Sequence, residues 1–99
     1  MEIKKNVVNG EATVSLVGRL DTVTAPELEA ELAALFPSIN SLVLDFTELE
    51  YLSSAGLRVL LNSQKTIGKT GKMVIKHVND IIMDVFDMTG FSSILTIEE

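Results

Sequence analysis

Seven consecutive residues, Tyr51-Leu52-Ser53-Ser54-Ala55-Gly56-Leu57, place two adjacent hydroxyls beside two small residues. They join the acidic end of a predicted strand to an amphipathic helix that begins at Ser53 or Ser54. A helix entrance carries unpaired backbone N–H groups and the positive end of the helix dipole. A phosphate attached to a hydroxyl there is tolerated by the fold while it changes the surface charge sharply. The chemistry expected is modification of a switch, not catalysis. A serine just before an apolar-periodic run commonly serves as N-cap, worth about 1 kcal/mol. If Ser53 takes that role, Ser54 falls in the first helical turn with its hydroxyl free. Ala55 and Gly56 leave the surface around it bare enough for another backbone to approach closely. Arg58, four residues past Ser54, is either a phosphate partner or a solvated cation on the outer face.

Other constellations point away from catalysis. His77 is the only histidine, and it is expected in a strand with a structural role, since a lone imidazole makes no metal site. Asp45, Glu48 and Glu50 alternate along a strand-to-loop segment, which suits solvated carboxylates better than an acid/base pair. No serine is accompanied by a motif that identifies an activating base. No Gly-x-x-x-x-Gly-Lys-[Ser/Thr] loop is present. Met83, Phe86 and Met88 have the spacing of core and rim rather than of a cofactor box. Neither a cofactor nor a metal is expected.

The elements that must hold the two serines are legible from periodicity. Ile3 to Val8 and Ala12 to Leu20 flank Asn9-Gly10, a strong hairpin signal. The second run alternates, with Val14, Leu16 and Gly18 opposite Thr13, Ser15 and Val17. Gly18-Arg19-Leu20-Asp21 ends it. Thr24-Ala25-Pro26-Glu27 then has the form of a capping box with proline in the first turn. Leu28, Leu32, Leu35 and Phe36 give this first helix one apolar stripe, and Pro37 ends it. Ser41 to Phe46 has the length and content of an interior strand, with Thr47 to Leu52 as a loop. The second helix runs to Ile67 with Gly68 as its stop; Leu57, Leu60, Leu61 and Gln64 share a face while Arg58, Asn62 and Lys65 look outward. Lys72 to Val78 is a further strand, and Asn79 caps a third helix with Ile82, Val85 and Phe86 inward and Gly90 at its end. Ile94 to Ile97 is a last short strand or the edge of one. The order β-β-α-β-α-β-α, with a final β, predicts an α/β fold: a mixed β-sheet with helices packed mainly on one side.

Bulk properties restrict the partners. Ninety-nine residues at 46% hydrophobic content suit one domain with one modest core, expected over 1–99. No apolar run approaches the roughly 20 residues that cross a bilayer, and Met1-Glu2-Ile3-Lys4-Lys5 lacks a signal-peptide core. With no cysteine there is no disulfide and no thiolate site. A cytoplasmic protein is the simplest expectation. Eight basic residues scattered among fourteen acidic ones, a net charge of −6, disfavour nucleic acid and anionic membrane. A protein partner fits better.

Three motifs carry a family resemblance. Asp45-Phe46-Thr47-Glu48-Leu49-Glu50-Tyr51-Leu52-Ser53-Ser54-Ala55-Gly56-Leu57-Arg58-Val59-Leu60-Leu61 resembles the signature of the STAS family. Gly18-Arg19-Leu20-Asp21 followed by Thr24-Ala25 resembles the family's Gly-x-Leu-Asp turn. Phe86-Asp87-Met88-Thr89-Gly90-Phe91 resembles its third element, near the domain end. The best-known small members are bacterial anti-sigma factor antagonists, so the resemblance implies a regulator without catalytic chemistry. It implies that the unphosphorylated chain binds an anti-sigma factor that is a serine kinase and thereby frees a sigma factor. Phosphorylation by that kinase abolishes the complex, and a PP2C-type phosphatase restores it. The family's target serine lies two residues before the glycine, which falls on Ser54, with Ser53 as runner-up. Asp21 matches a turn carboxylate implicated in partner recognition, and Ser53, Ala55, Gly56, Arg58 and Val59 complete the expected partner surface. Many members carry aspartate where this chain has Ser53, so a second acceptor is present. Two alternatives follow from the same resemblance: a STAS subunit docking on an ABC transport ATPase through the second helix, and weak nucleotide binding, since some relatives bind GTP.

Overall fold

The computed structural model describes residues 1–98, so Glu99 of the domain expected over 1–99 lies outside the described residues. Its sheet has five strands: β1 Glu2–Val8, β2 Glu11–Leu20, β3 Ser41–Leu52, β4 Lys72–Lys76 and β5 Ile97–Glu98, in the spatial order β1-β2-β3-β4-β5. β1 pairs antiparallel with β2, and every later pairing is parallel. The hairpin turn is Asn9-Gly10, with φ of 51° and 81°. Two successive positive φ angles match the right-handed strand twist, and Asn-Gly tolerates them best.

Three helices fill the crossovers: α1 Ala25–Leu35, α2 Ser54–Ile67 and α3 Asp80–Thr89. Because β2, β3, β4 and β5 step across the sheet in one direction, right-handed crossovers lay every helix on the same face. One contiguous core results. Val14 and Leu16 of β2, Leu44 and Phe46 of β3, and Ile75 of β4 meet Leu28 and Leu32 of α1, Leu60 of α2 and Phe86 of α3. The other face of the sheet carries Thr13, Ser15, Val43 and Asp45, all half-buried. The mixed sheet and one-sided helices agree with the sequence pattern.

Five local expectations are corrected. Thr47 to Leu52 is not a loop but the second half of β3. The ladder with β2 slips twice: Ser15 pairs Asp45 but Val17 pairs Glu48, and Gly18 pairs Leu49 but Arg19 pairs Tyr51. Each slip inserts one extra residue into β3, a bulge that breaks the two-residue period. Phe46, Leu49 and Leu52 therefore enter the core three residues apart, a spacing that does not read as strand. The capping box at Thr24 does not form, because Thr24 has α-helical dihedrals and its side chain makes no cap bond to α1.

His77 lies beyond β4, in the left-handed region at φ 61°. The final strand is confined to Ile97–Glu98, after a 3-10 turn at Phe91–Ser93. On α2 the buried set includes Val59 and Ser63, while Leu61 and Gln64 are only half-buried. α2 packs against α1 as well as the sheet, so its buried arc is wider and rotated from the expected one.

Asn79 fixes the third helix to the strand that carries the site. Its Oδ1 accepts from the Ile82 N–H at 2.9 Å, capping α3, and its Nδ2 donates to the Leu49 carbonyl at 3.0 Å. Asn79→Ala removes the cap and leaves the Leu49 carbonyl without that donor. The expected loss is about 1–3 kcal/mol by chemical denaturation; unchanged stability would show that neither bond matters.

Candidate functional site

The two serines sit where β3 passes into α2, and the structure assigns them different states. The Ser53 N–H donates to the Leu20 carbonyl at 2.9 Å, extending the β2–β3 ladder by one step. Ser53 then turns the chain as N-cap, in extended conformation at φ −96° and ψ 174°. Its Oγ accepts from the Gly56 N–H at 3.3 Å, and its carbonyl accepts from the Leu57 N–H at 3.0 Å. The hydroxyl is half-buried and engaged. Ser54 is the first residue of α2, exposed, and its hydroxyl makes no hydrogen bond among the described residues. The division expected from the sequence, with Ser53 as cap and Ser54 free, is the one observed.

Gly56 has a different purpose from the one its size suggested. It is buried, and a Cβ there would lie 2.7 Å from Leu52 Cδ1 and 2.8 Å from Leu20 Cγ. The missing side chain lets the first turn of α2 press on the ends of β2 and β3. It does not open the surface to another protein. Val59 is likewise only 6% exposed, so it is no outward knob. It reaches the bottom of a shallow groove of 260 Å³ between α1 and α2, whose walls include Pro26, Glu29, Ala55 and Arg58. Ala55 is half-buried and Arg58 exposed. Of the expected partner surface, Arg58 is exposed, Asp21, Ser53 and Ala55 are half-buried, and Gly56 and Val59 are buried.

Asp21 stands at the neighbouring turn between β2 and α1, half-buried. Its Oδ1 accepts from the Val23 N–H at 3.0 Å and the Thr24 N–H at 3.1 Å. The Asp21 N–H donates to Thr24 Oγ1 at 2.9 Å. The single Thr24 hydroxyl proton lies between the Arg19 carbonyl at 2.8 Å and Asp21 Oδ1 at 3.2 Å. This closed loop of bonds replaces the capping box expected at Thr24. Asp21 Oδ2 faces Arg19 Nε at 3.8 Å, and the Arg19 guanidinium lies 4.1 Å above the centre of the Tyr51 ring. Hydrogen bonds, first of all from the Thr24 backbone N–H, lower the Asp21 pKa below its ordinary 3.8. Sequence reasoning did not find the Arg19–Tyr51 pair, because their opposition depends on the second slip of the β2–β3 register.

His77, just past the end of β4, comes near Asp45 within β3, whose ladder partner is Lys76. Burial raises the Asp45 pKa, but hydrogen bonds from the Thr47 hydroxyl and N–H and the charge of His77 outweigh it and lower the net value. No group of three or more His, Asp or Glu residues arranged to hold a metal occurs among the described residues. No helix among them is long and apolar enough to cross a membrane.

A mixed five-stranded sheet with its helices on one face is the fold shared with STAS domains. The chain matches the STAS domain family over residues 2–99 and belongs to it. BtrV of Bordetella bronchiseptica, a candidate anti-sigma factor antagonist, is 34% identical over 99 residues, covering 98% of this chain and 85% of its own length. The crystal structure of an anti-sigma factor antagonist from Mycobacterium paratuberculosis superposes with a TM-score of 0.88 at 27% identity, covering 97% of this chain and 83% of that one. The Bacillus protein SpoIIAA shares the fold at 15% identity. Its TM-scores are 0.79 for the unphosphorylated form and 0.77 for the phosphorylated form, with 99% of this chain covered in both and 88% and 92% of the respective SpoIIAA chains.

The site makes three stability predictions, all read by chemical denaturation. Gly56→Ala loses about 1–2 kcal/mol, because overpacking exceeds the gain in helix propensity. Ser53→Ala loses about 1 kcal/mol with its cap, whereas Ser54→Ala changes stability by less than about 0.5 kcal/mol. Equal losses at the two serines would contradict the assigned roles.

The pH dependence has a definite sign. Asp21 has a depressed folded pKa, so its stabilisation is complete above 3.8 and is lost as pH falls through the lower folded value. The stability gap between wild type and Asp21→Asn therefore narrows as pH falls below 3.8 and through the lower folded value. A gap independent of pH would show that the carboxylate's charge contributes nothing.

Proposed function

We propose that this chain is an anti-sigma factor antagonist whose binding is switched off by phosphorylation of Ser54. The observation that carries this reading is the contrast between the serines. Ser54 is exposed with an uncommitted hydroxyl, while Ser53 is tied to the Gly56 N–H as a helix cap. Similarity to anti-sigma factor antagonists along nearly the whole chain supports the same role. The partner is then an anti-sigma factor with serine kinase activity, and a PP2C-type phosphatase restores the active form.

The mechanism is electrostatic. Phosphorylation adds about −1.5 to −2 charges at neutral pH. An interface centred on Ser54 would have to desolvate that group against a surface shaped for a hydroxyl, and an uncompensated buried charge costs several kcal/mol. Since about 1.4 kcal/mol is tenfold in affinity, a hundredfold loss requires no change of fold. The N-terminus of α2 favours the added anion within the domain. The free protein therefore remains stable while the complex does not.

The test incubates purified chain with each anti-sigma factor of its source genome and ATP, then maps phosphate by mass spectrometry. Modification at Ser54 is expected, abolished by Ser54→Ala and retained by Ser53→Ala. Ser54→Asp should bind its anti-sigma factor at least about a hundredfold more weakly with melting nearly unchanged. An aspartate variant that binds normally, or phosphate confined to Ser53, would overturn the scheme.

A further inference from the structure

We infer that Asp21 serves docking as a positioning residue, and that Val23, whose N–H it holds, together with the neighbouring Arg19–Tyr51 stack, makes the contact. For the identity of the partner this rests on the antagonist reading. For the geometry it rests on the turn itself.

The Asp21 carboxylate braces the turn through Oδ1. One oxygen receives the Val23 and Thr24 N–H groups and a share of the Thr24 hydroxyl proton. The other faces Arg19. That first oxygen braces its own loop, whereas Oδ2 accepts no hydrogen bond among the described residues and lies 3.8 Å from Arg19 Nε. The brace has outward consequences. Val23 is 85% exposed at the tip of the turn, and Tyr51 is 41% exposed on β3. Arg19 joins them, stacked on Tyr51 and paired with Asp21.

The path Tyr51–Arg19–Asp21–Val23 is thus continuous in space, and the Ser53–Leu20 bond ties it to the start of α2. The chain has only two arginines, Arg19 and Arg58. One lies in this path, and the other lies one helical turn from Ser54 on α2. Tyrosine and arginine are the side chains that most often anchor interfaces, because they offer area and donors with little entropy to lose. Stacking already restricts Arg19 while leaving it accessible. The partner surface that fits is an apolar side chain covering Val23 and the Tyr51 ring, flanked by a hydrogen-bond acceptor for the guanidinium.

The test compares full-length variants by calorimetry against the anti-sigma factor that wild type binds, alongside amide exchange at Val23 and Thr24. Asn keeps the acceptor oxygen and drops the charge, so Asp21→Asn should bind within about threefold of wild type with both amides protected. Asp21→Ala should expose the amides and weaken binding about tenfold or more, as should Thr24→Ala, whose side chain supports the same loop. Val23→Ala and Tyr51→Ala should each cost about tenfold or more in affinity with unfolding unchanged. If Asp21→Asn fails as badly as Asp21→Ala, the carboxylate touches the partner and the inference is overturned. Normal binding by both Val23→Ala and Tyr51→Ala also overturns it, while leaving the antagonist reading intact. If no anti-sigma factor binds wild type, that reading fails and the docking claim with it, and exchange at Val23 and Thr24 still decides whether Asp21 braces the turn.

Discussion

The parallel ladder between β2 and β3, carried past Phe46 to the Ser53–Leu20 hydrogen bond, holds the site in place. Without that extension the last six residues of β3 would be a free connector, and the entrance of α2 would have no fixed position. Two bulges make the extension possible by letting β3 accommodate two more residues than β2 over the same stretch. They also turn Leu49 and Leu52 inward, where each is at most 5% exposed. Gly56 completes the arrangement, since only a residue without Cβ lets α2 start directly above Leu20 and Leu52. Position, direction and burial of the site all follow from one strand pairing.

The same pairing separates two jobs that neighbouring serines would otherwise share. Ser53 belongs to the ladder through its backbone and to the helix through its side chain. Ser54 belongs to the helix alone. A side chain at the first helical position has no preceding turn to rest on, so it faces solvent unless a loop covers it. Here the nearest loop is the β2–α1 turn, and Asp21 draws that turn onto its own backbone N–H groups. The turn stays compact and Ser54 is exposed.

Much of this architecture was legible from pattern, and the failures have physical causes. The Asn9-Gly10 hairpin, the Asn79 cap and the Ser53/Ser54 entrance each depend on interactions within about four residues, which sequence reports directly. The second half of β3 reads as a loop because its alternation is set by slips against β2, a non-local property. The Thr24 cap fails for a different reason: two local motifs compete, and the carboxylate three residues earlier prevails. Gly56 and Val59 were expected at the surface because their types and spacing allow it. Gly56 is buried against Leu20 and Leu52 at the ends of β2 and β3, and Val59 where α2 packs against α1, which no feature of the α2 sequence alone reveals. Continuity with Lys76 predicts a strand at His77, yet it takes a left-handed conformation as the chain leaves β4.

The serine at position 53 bears on how the proposed switch is tuned. The family pattern often has aspartate there, and aspartate caps a helix as well as serine does. The bond to the Gly56 N–H therefore does not distinguish the two; the charge does. A carboxylate at position 53 would repel a phosphate at Ser54. At a separation of about 6 Å in water-like dielectric, repulsion against −1.5 to −2 charges amounts to about 1 kcal/mol. Serine removes that term from the modified state and removes a fixed negative charge from the unmodified one. The contrast between the two states then comes from the phosphate alone, set against the positive end of α2. A cap that is neutral makes the modified form easier to populate without loosening the helix that presents it.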